Sequence, residues 1–257
     1  MTVEKFFAEN RKMALAFSGG VDSAYLLYAA RSAGCDVHAY FVKSPFQPRF
    51  ELEDAQRLAR QLDVPLTVAE LDVLALPQAA ENGPRRCYYC KRAIFSRLWE
   101  LARADGYSLL ADGTNASDDQ GDRPGMQALA ELGVRSPLRE CGLDKARIRA
   151  LSREAGLFTS GKPAYACLAT RIPAGTPITP QLLAQTEQGE ALLERMGFWD
   201  FRLRYFHGAA RLQLPAGQLA RALECRAELE QSLREMGYGE VLLDLRPRET
   251  GHGEVLP

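Results

Sequence analysis

The sequence predicts an α/β protein: a doubly wound, mostly parallel sheet in residues 1–176, a small α+β domain in residues 177–246, and a flexible tail over 247–257. Three observations carry that expectation. An apolar run at residues 13–17 passes through a glycine-containing turn into a helical pattern that stops at Gly34. Strand and helix patterns then alternate as far as residue 115, the order that builds a parallel sheet. Beyond residue 177 the order becomes helix, paired strands, helix and strand, which marks a second layer.

Each element has a local cause. The helix over residues 24–33 ends at Gly34, a residue that takes the left-handed C-cap without strain. Residues 37–42 and 66–69 read as the second and third strands. Between them, residues 51–62 place Leu52, Ala55, Leu58, Ala59 and Leu62 on one helical face. A helix over residues 91–104 and a strand over 107–111 lead into Asp112-Gly-Thr-Asn115. Residues 116–125 are polar and turn-rich and predict a surface loop. A short helix to Leu132 follows, then a helix capped by Asp144 that turns Ile148, Leu151 and Ala155 inward. Glycines and prolines punctuate residues 156–176 as an ordered loop. Thr179-Pro180 opens the next helix with an N-cap and a first-turn proline. Residues 201–206 and 211–214 read as a β-pair, 218–236 as a helix and 240–245 as the closing strand, and nothing beyond 246 is periodic.

Composition narrows the function classes. The 257 residues are 46% hydrophobic and 25% charged, enough to bury a real core. With 32 basic and 33 acidic residues the net charge is −1, which argues against a broad basic track for nucleic acid. The first residues lack the order of a signal peptide, and no run approaches the roughly 18 apolar residues of a membrane span. A soluble cytoplasmic protein without a membrane partner is expected. Six cysteines, at 35, 87, 90, 141, 167 and 225, are too sparse for a disulfide framework. Cys35, Cys141 and Cys225 fit helix ends or an amphipathic face and read as packing residues.

The turn Ser18-Gly-Gly-Val-Asp-Ser23 is the most informative stretch. Two glycines let backbone N–H groups approach an anion, the helix N-terminus adds partial positive charge, and two serine hydroxyls add donors. Such a turn suits pyrophosphate. Asp22 would repel phosphate unless Mg²⁺ bridges the two or the carboxylate caps the loop. A second stretch, Gly156-Leu-Phe-Thr-Ser-Gly-Lys162, mimics a Walker A turn but has Pro163 where that motif needs Ser or Thr.

Cys87-Tyr-Tyr-Cys90 is compatible with a redox pair, half of a zinc site or part of a cluster site. Cys167 lies between Lys162 and Arg171, cations that favour thiolate, the nucleophilic form.

The hexapeptide Ser18 to Ser23 after a first strand resembles the signature of the PP-loop ATP pyrophosphatases, whose fold is of the adenine nucleotide alpha hydrolase type. Further stretches resemble one subfamily, the LarE-type ATP-dependent sacrificial sulfur transferases of nickel-pincer nucleotide biosynthesis. They are Arg86-Cys-Tyr-Tyr-Cys-Lys91, Asp112-Gly-Thr-Asn-Ala-Ser-Asp-Asp119, Asp122-Arg-Pro-Gly125, Gly133-Val-Arg-Ser-Pro-Leu-Arg-Glu140 and residues 162–173. The second domain is similar more loosely: Gln213 stands where the family pattern has Glu, and Arg248-Glu-Thr-Gly-His-Gly253 departs from the usual ending.

The resemblance implies an enzyme that adenylates a carboxylate of a pyridinium dicarboxylate mononucleotide, releases pyrophosphate and forms a thiocarboxylate. Ser18, Gly19, Gly20, Val21, Asp22 and Ser23 would hold ATP, with Asp22 helping to place Mg²⁺. Cys167 would attack the acyl adenylate, and Arg171, Glu190, Arg202 and Arg204 would contact the substrate. The sulfur would come from Cys167 itself, leaving dehydroalanine, or from sulfide on a [4Fe-4S] cluster held by Cys87, Cys90 and Cys167. The implied partners are a small anionic nucleotide, a sulfur donor protein in the cluster case, and a second copy of the chain. Two alternatives stay open at this point: a tRNA thiolase with the same loop, and a sensor that binds ATP without cleaving it.

Overall fold

Alternation along the first strand, β1 (Lys12–Ala16), sets up a sheet covered on both faces. Met13 and Leu15 enter one buried cluster and Ala14 another, as period-two geometry requires. The second strand, β2 (Asp36–Lys43), repeats the split: Val37, Ala39 and Phe41 face the first cluster, Tyr40 and Val42 the second. This computed structural model describes residues 2–118 and 123–249. By its internal contacts it divides into two units, Met1–Ala79 with Arg85–Lys162, and Ala80–Pro84 with Pro163–Pro257.

In the first unit the sheet order is β3-β2-β1-β4, with β3 at Leu66–Glu70 and β4 at Leu110–Ala111, and every pairing is parallel. The first face is covered by α1 (Val3–Glu9), α2 (Val21–Ser32), α3 (Arg49–Gln61), α7 (Pro137–Glu140) and α8 (Lys145–Glu154). The second face is covered by α5 (Arg86–Ala104), through Leu98, Trp99 and Ala102. Two further helices are α4 (Pro77–Ala80) and α6 (Arg123–Glu131), and Tyr88 of α5 donates to Glu131 of α6 at 2.7 Å. Parallel strands with helices on both faces put the loops at the carboxyl ends of β1 and β4 side by side, where this fold class builds its ligand sites.

The second unit has its own core, with Leu193, Leu203, Leu212, Leu229 and Leu233 at its centre. Its sheet is β5-β6-β7, with β5 (Arg202–Phe206) antiparallel to β6 (Ala209–Gln213) and β6 parallel to β7 (Val241–Leu243). The sheet is accompanied by α9 (Pro180–Arg195), α10 (Leu219–Glu224) and α11 (Arg226–Glu235).

Several elements differ from the expectation. α1 is an additional helix: Thr2 caps it, and Phe6 and Phe7 are buried from its inner face, each contributing about 1.5–3 kcal/mol of burial. α5 starts at Arg86 rather than 91, so Cys87 and Cys90 lie within its first turns. The single helix expected over 218–236 breaks at Cys225, which leaves helical geometry with ψ 22°. Residues 163–176 group with the second unit rather than the first. Arg202 and Arg204 donate to carbonyls of this stretch, and its Tyr165 and Arg171 donate to Glu190. The short stretch Ala80–Pro84 joins the same unit because the Asn82 amide donates to the carbonyls of Ile172, Pro173 and Thr176 and Ile178 N–H donates to Ala80 at 2.7 Å. Of the expected loose tail, Arg248 is tied down: its N–H donates to Leu214 and its guanidinium to Asp200. Residues 250–257 lie outside the described residues, as do Asp119 and Asp122. No helix among the described residues is long and apolar enough to cross a membrane.

Candidate active site

The turn at Ser18 to Ser23 is built by close approach. Gly19 has φ +73°, and a Cβ there would stand 2.8 Å from the Glu51 carbonyl oxygen and 3.2 Å from the Ala55 nitrogen of α3. Only glycine meets both the angle and the space. Ser23 Oγ accepts from Ser18 N–H at 3.3 Å, donates to the Gly20 carbonyl at 3.2 Å and lies 3.0 Å from Ser18 Oγ. The two hydroxyls expected as phosphate donors are therefore turned toward each other and the loop backbone. Gly20 caps α2 with no side-chain bond to the first N–H groups, so these orphan donors serve the turn. Val21 contributes backbone only, because its side chain belongs to the core.

The turn after β4 closes the other side. A Cβ on Gly113 would lie 2.8 Å from Ser23 N and 3.0 Å from Ser23 Cα, so this backbone rests directly on the first turn of α2. Asp112 shapes it by accepting from Thr114 N–H (3.2 Å), Thr114 Oγ1 (2.5 Å) and Ser136 Oγ (2.7 Å). Burial pushes its carboxyl above the ordinary range despite those three donors.

Asp22 is ion-paired through Oδ2 to the ammonium of Lys145, the first residue of α8. Its Oδ1 is buried and has no partner among the described residues. One unpartnered carboxylate oxygen in an anion-type turn fits Mg²⁺, a cation that takes one or two carboxylates and fills its octahedron with phosphate oxygens and water. Lys145 was not a sequence candidate. Asp144 signals the helix start, yet nothing local tells that the next side chain meets a carboxylate 123 residues away.

Cys87 and Cys90 stand one turn apart on α5, both half-buried, and the Arg86 guanidinium donates to Cys87 Sγ at 3.6 Å. They supply two thiols at a spacing suited to a cluster. Among the described residues no group of three or more His, Cys, Asp or Glu side chains forms a metal-holding set.

The second unit carries Cys167. The residue caps a short 3₁₀ turn, Leu168–Arg171, and its carbonyl accepts from Thr170 N–H at 3.0 Å and Thr170 Oγ1 at 2.8 Å. Three arginines clamp this loop by its carbonyls: Arg171 donates to Ala166 (3.1 Å), Arg202 to Ala164 (2.5 Å) and Arg204 to Thr170 (2.7 Å). Glu190 completes the clamp. Its two oxygens accept from Arg171 Nε (2.6 Å) and Nη2 (3.3 Å), from Tyr165 OH (2.5 Å) and from Leu203 N–H (3.3 Å).

Arg171 and Glu190, both expected to contact substrate, meet each other here. Arg171 is 1% exposed, so its charge is spent inside the protein on holding the cysteine loop. The thiolate argument changes with it, since both flanking cations carry their own carboxylate, Lys162 pairing with Asp54 and Arg171 with Glu190. Around the clamp, Arg171, Arg202, Arg204, Arg211 and Arg248 outnumber Glu190, Asp200 and Asp244. Burial first, and then the charges of Arg171 and Arg248, push Arg202 down to about 10 and lower Arg204 as well. The buried groups balance, Arg171 and Arg202 against Glu190 and Asp200, and the excess of guanidinium comes from the more accessible Arg204, Arg211 and Arg248, which favours an anion at this end of the unit. Gln213 joins the network from β6, accepting from Arg204 Nε at 2.6 Å and donating to Asp244 at 2.9 Å. A glutamate at 213 would set a second carboxylate against Asp244.

Comparison with known proteins adds a lineage. The family profile described as queuosine biosynthesis protein QueC matches residues 12–82, the stretch holding β1, the turn, α2, β2, α3 and β3. An uncharacterized protein of Synechocystis sp. is 35% identical over 97% of this chain and 94% of its own length. The pyridinium-3,5-bisthiocarboxylic acid mononucleotide synthase of Lactiplantibacillus plantarum is 33% identical over 91% of this chain and 86% of its own. A tRNA-specific 2-thiouridylase of Pseudothermotoga lettingae is 29% identical over 40% of this chain and 36% of its own.

Proposed function

The chain belongs to the LarE-type family of PP-loop enzymes represented by pyridinium-3,5-bisthiocarboxylic acid mononucleotide synthase, and from that premise we propose that it is an ATP-dependent sulfur transferase. The substrate is a pyridinium dicarboxylate mononucleotide. The observation that carries this reading is the near full-length likeness to that synthase, 33% identity over 91% of this chain.

A carboxylate is a poor electrophile, so the reaction begins by attaching AMP to one carboxylate oxygen, with pyrophosphate leaving. The N–H groups at the start of α2 and the backbone at Gly19 and Gly20 bind the phosphates, and Mg²⁺ at Asp22, when bound, offsets charge on the leaving group. Cys167 thiolate then attacks the acyl carbon and AMP departs, leaving a thioester. Loss of the Cα proton of residue 167 with cleavage of its Cβ–S bond releases the thiocarboxylate and leaves dehydroalanine. The arginine clamp fixes the loop that presents the thiol, and the surplus of guanidinium charge suits the phosphate of the substrate.

Intact-mass analysis after one turnover tests the sulfur source. The expected result is a chain lighter by the elements of H₂S, mapped to residue 167. A chain purified anaerobically with iron and sulfide, which keeps Cys167 intact through repeated turnovers, would replace Cys167 as donor by sulfide on a cluster at Cys87, Cys90 and Cys167. A tRNA substrate is disfavoured by the net charge of −1.

A further inference from the structure

The pairing of Asp22 with Lys145 poses a physical problem that the turn alone does not solve. Asp22 lies in the first turn of α2, where orphan N–H groups and the helix dipole attract an anion. A phosphate entering there meets a carboxylate. Lys145 neutralises one oxygen of that carboxylate, while the other stays buried without a partner among the described residues.

Lys145 is held in register with the turn. Its N–H donates to Ser117 Oγ at 3.0 Å, and Ala116 N–H donates to the Leu143 carbonyl at 2.8 Å. Asp144 caps the helix by accepting from Arg147 N–H at 2.7 Å. The start of α8 is thus stapled to the loop that follows Asp112–Asn115, the turn whose Gly113 rests on Ser23. The backbone of Lys145 is fixed, whereas its ammonium sits at the end of a flexible stem and the side chain is 31% exposed. The pair is half-buried and keeps water at the ammonium, so it exchanges partners more readily than a fully buried pair, and a polyphosphate offers the ammonium several anionic oxygens in place of one.

We propose that Lys145 is a phosphate-binding residue of the nucleotide site: it guards Asp22 in the free protein and transfers its ammonium to the pyrophosphate portion of ATP when the nucleotide enters. The exchange frees Asp22 Oδ2 beside the unpartnered Oδ1, so both oxygens become available to the cation that accompanies the phosphates. Lys145 then helps neutralise the leaving pyrophosphate. The inference rests on the ATP-dependent reading above, and its test uses binding alone, without the dicarboxylate.

The test is calorimetric titration of the full chain with pyrophosphate, ATP and adenosine, each with and without Mg²⁺. Lys145→Met is expected to weaken pyrophosphate and ATP by about tenfold or more, the scale of one charge-assisted hydrogen bond, with adenosine unchanged and Lys145→Arg recovering most of the loss. Asp22→Asn is expected to tighten pyrophosphate in the absence of Mg²⁺ and to weaken it in its presence. Equal losses for adenosine and ATP in Lys145→Met would assign the residue a purely structural role and overturn the proposal. So would Asp22→Asn weakening pyrophosphate equally with and without Mg²⁺. A wild-type chain that binds neither ATP nor pyrophosphate would instead overturn the nucleotide reading itself.

Discussion

Each unit holds one ion pair at the heart of its candidate machinery, and the two pairs differ in burial. Asp22 and Lys145 keep 20% and 31% of their side-chain surface, whereas Glu190 and Arg171 keep 8% and 1%. An open pair is cheap to separate and can exchange partners with a ligand. A buried pair with every oxygen satisfied cannot open without stranding a charge. The same two kinds of group therefore make a releasable contact beside the phosphate turn and a permanent clamp under the cysteine loop.

Breaking the buried pair gives the largest expected effect. Arg171→Met leaves Glu190 buried without its guanidinium and should cost about 3–5 kcal/mol in urea unfolding, with Glu190→Gln added on top restoring a good part of it. If Arg171→Met unfolds like the wild type, the clamp is not structural. Next comes Gly113→Ala, whose Cβ would press on the Ser23 backbone. It should cost about 1–3 kcal/mol and weaken ATP binding, and unchanged affinity would separate this turn from the nucleotide site. Smaller still is Asp22→Asn, which should shift stability by less than about 1 kcal/mol while slowing pyrophosphate release in the presence of substrate. A large stability loss there would erase the contrast between the pairs.

The smallest effect concerns pH and involves neither pair. His38 stacks on Tyr40 at 4.4 Å between centroids, and its Nε2 lies 2.8 Å from Thr67 Oγ1. Burial pushes its pKa below the ordinary 6.5, against the nearby charges of Asp105 and Asp36. The folded chain then takes up a proton less readily than the unfolded one, so stability is full above pH 6.5 and declines as pH falls below it. His38→Phe should remove that part of the slope in unfolding experiments between pH 5 and 7.5, roughly the range in which histidine titrates. An unchanged slope would move the dependence to another group.

Much of this was legible along the chain because its causes are local. The turn at Ser18 to Ser23, the glycine C-cap at Gly34, the Asp144 and Thr179 caps and the alternation in β1 and β2 depend on neighbours a few residues apart. α1 was equally local, since Thr2, Val3, Phe6 and Phe7 have helical spacing, but its seven residues are too short for periodicity to stand out. The first turn of α5 is not legible in this way, because residues 86–90 carry no apolar stripe and are held by packing of Tyr88 beneath Arg85 and against Glu131.

By itself the sequence determined the α/β order, the anion-type turn, the thiols worth testing and, through resemblance, the family. Those properties live in backbone preferences and in short motifs. Only the tertiary structure decided which charges are spent and which are available. The donors of Arg171 meet Glu190 and the loop carbonyls, and the ammonium of Lys145 meets Asp22, neither of which any local pattern announces. Whether a charged side chain binds a ligand or holds the fold depends on which partner reaches it and how much water is left around it. Both are set by contacts between residues far apart in the chain.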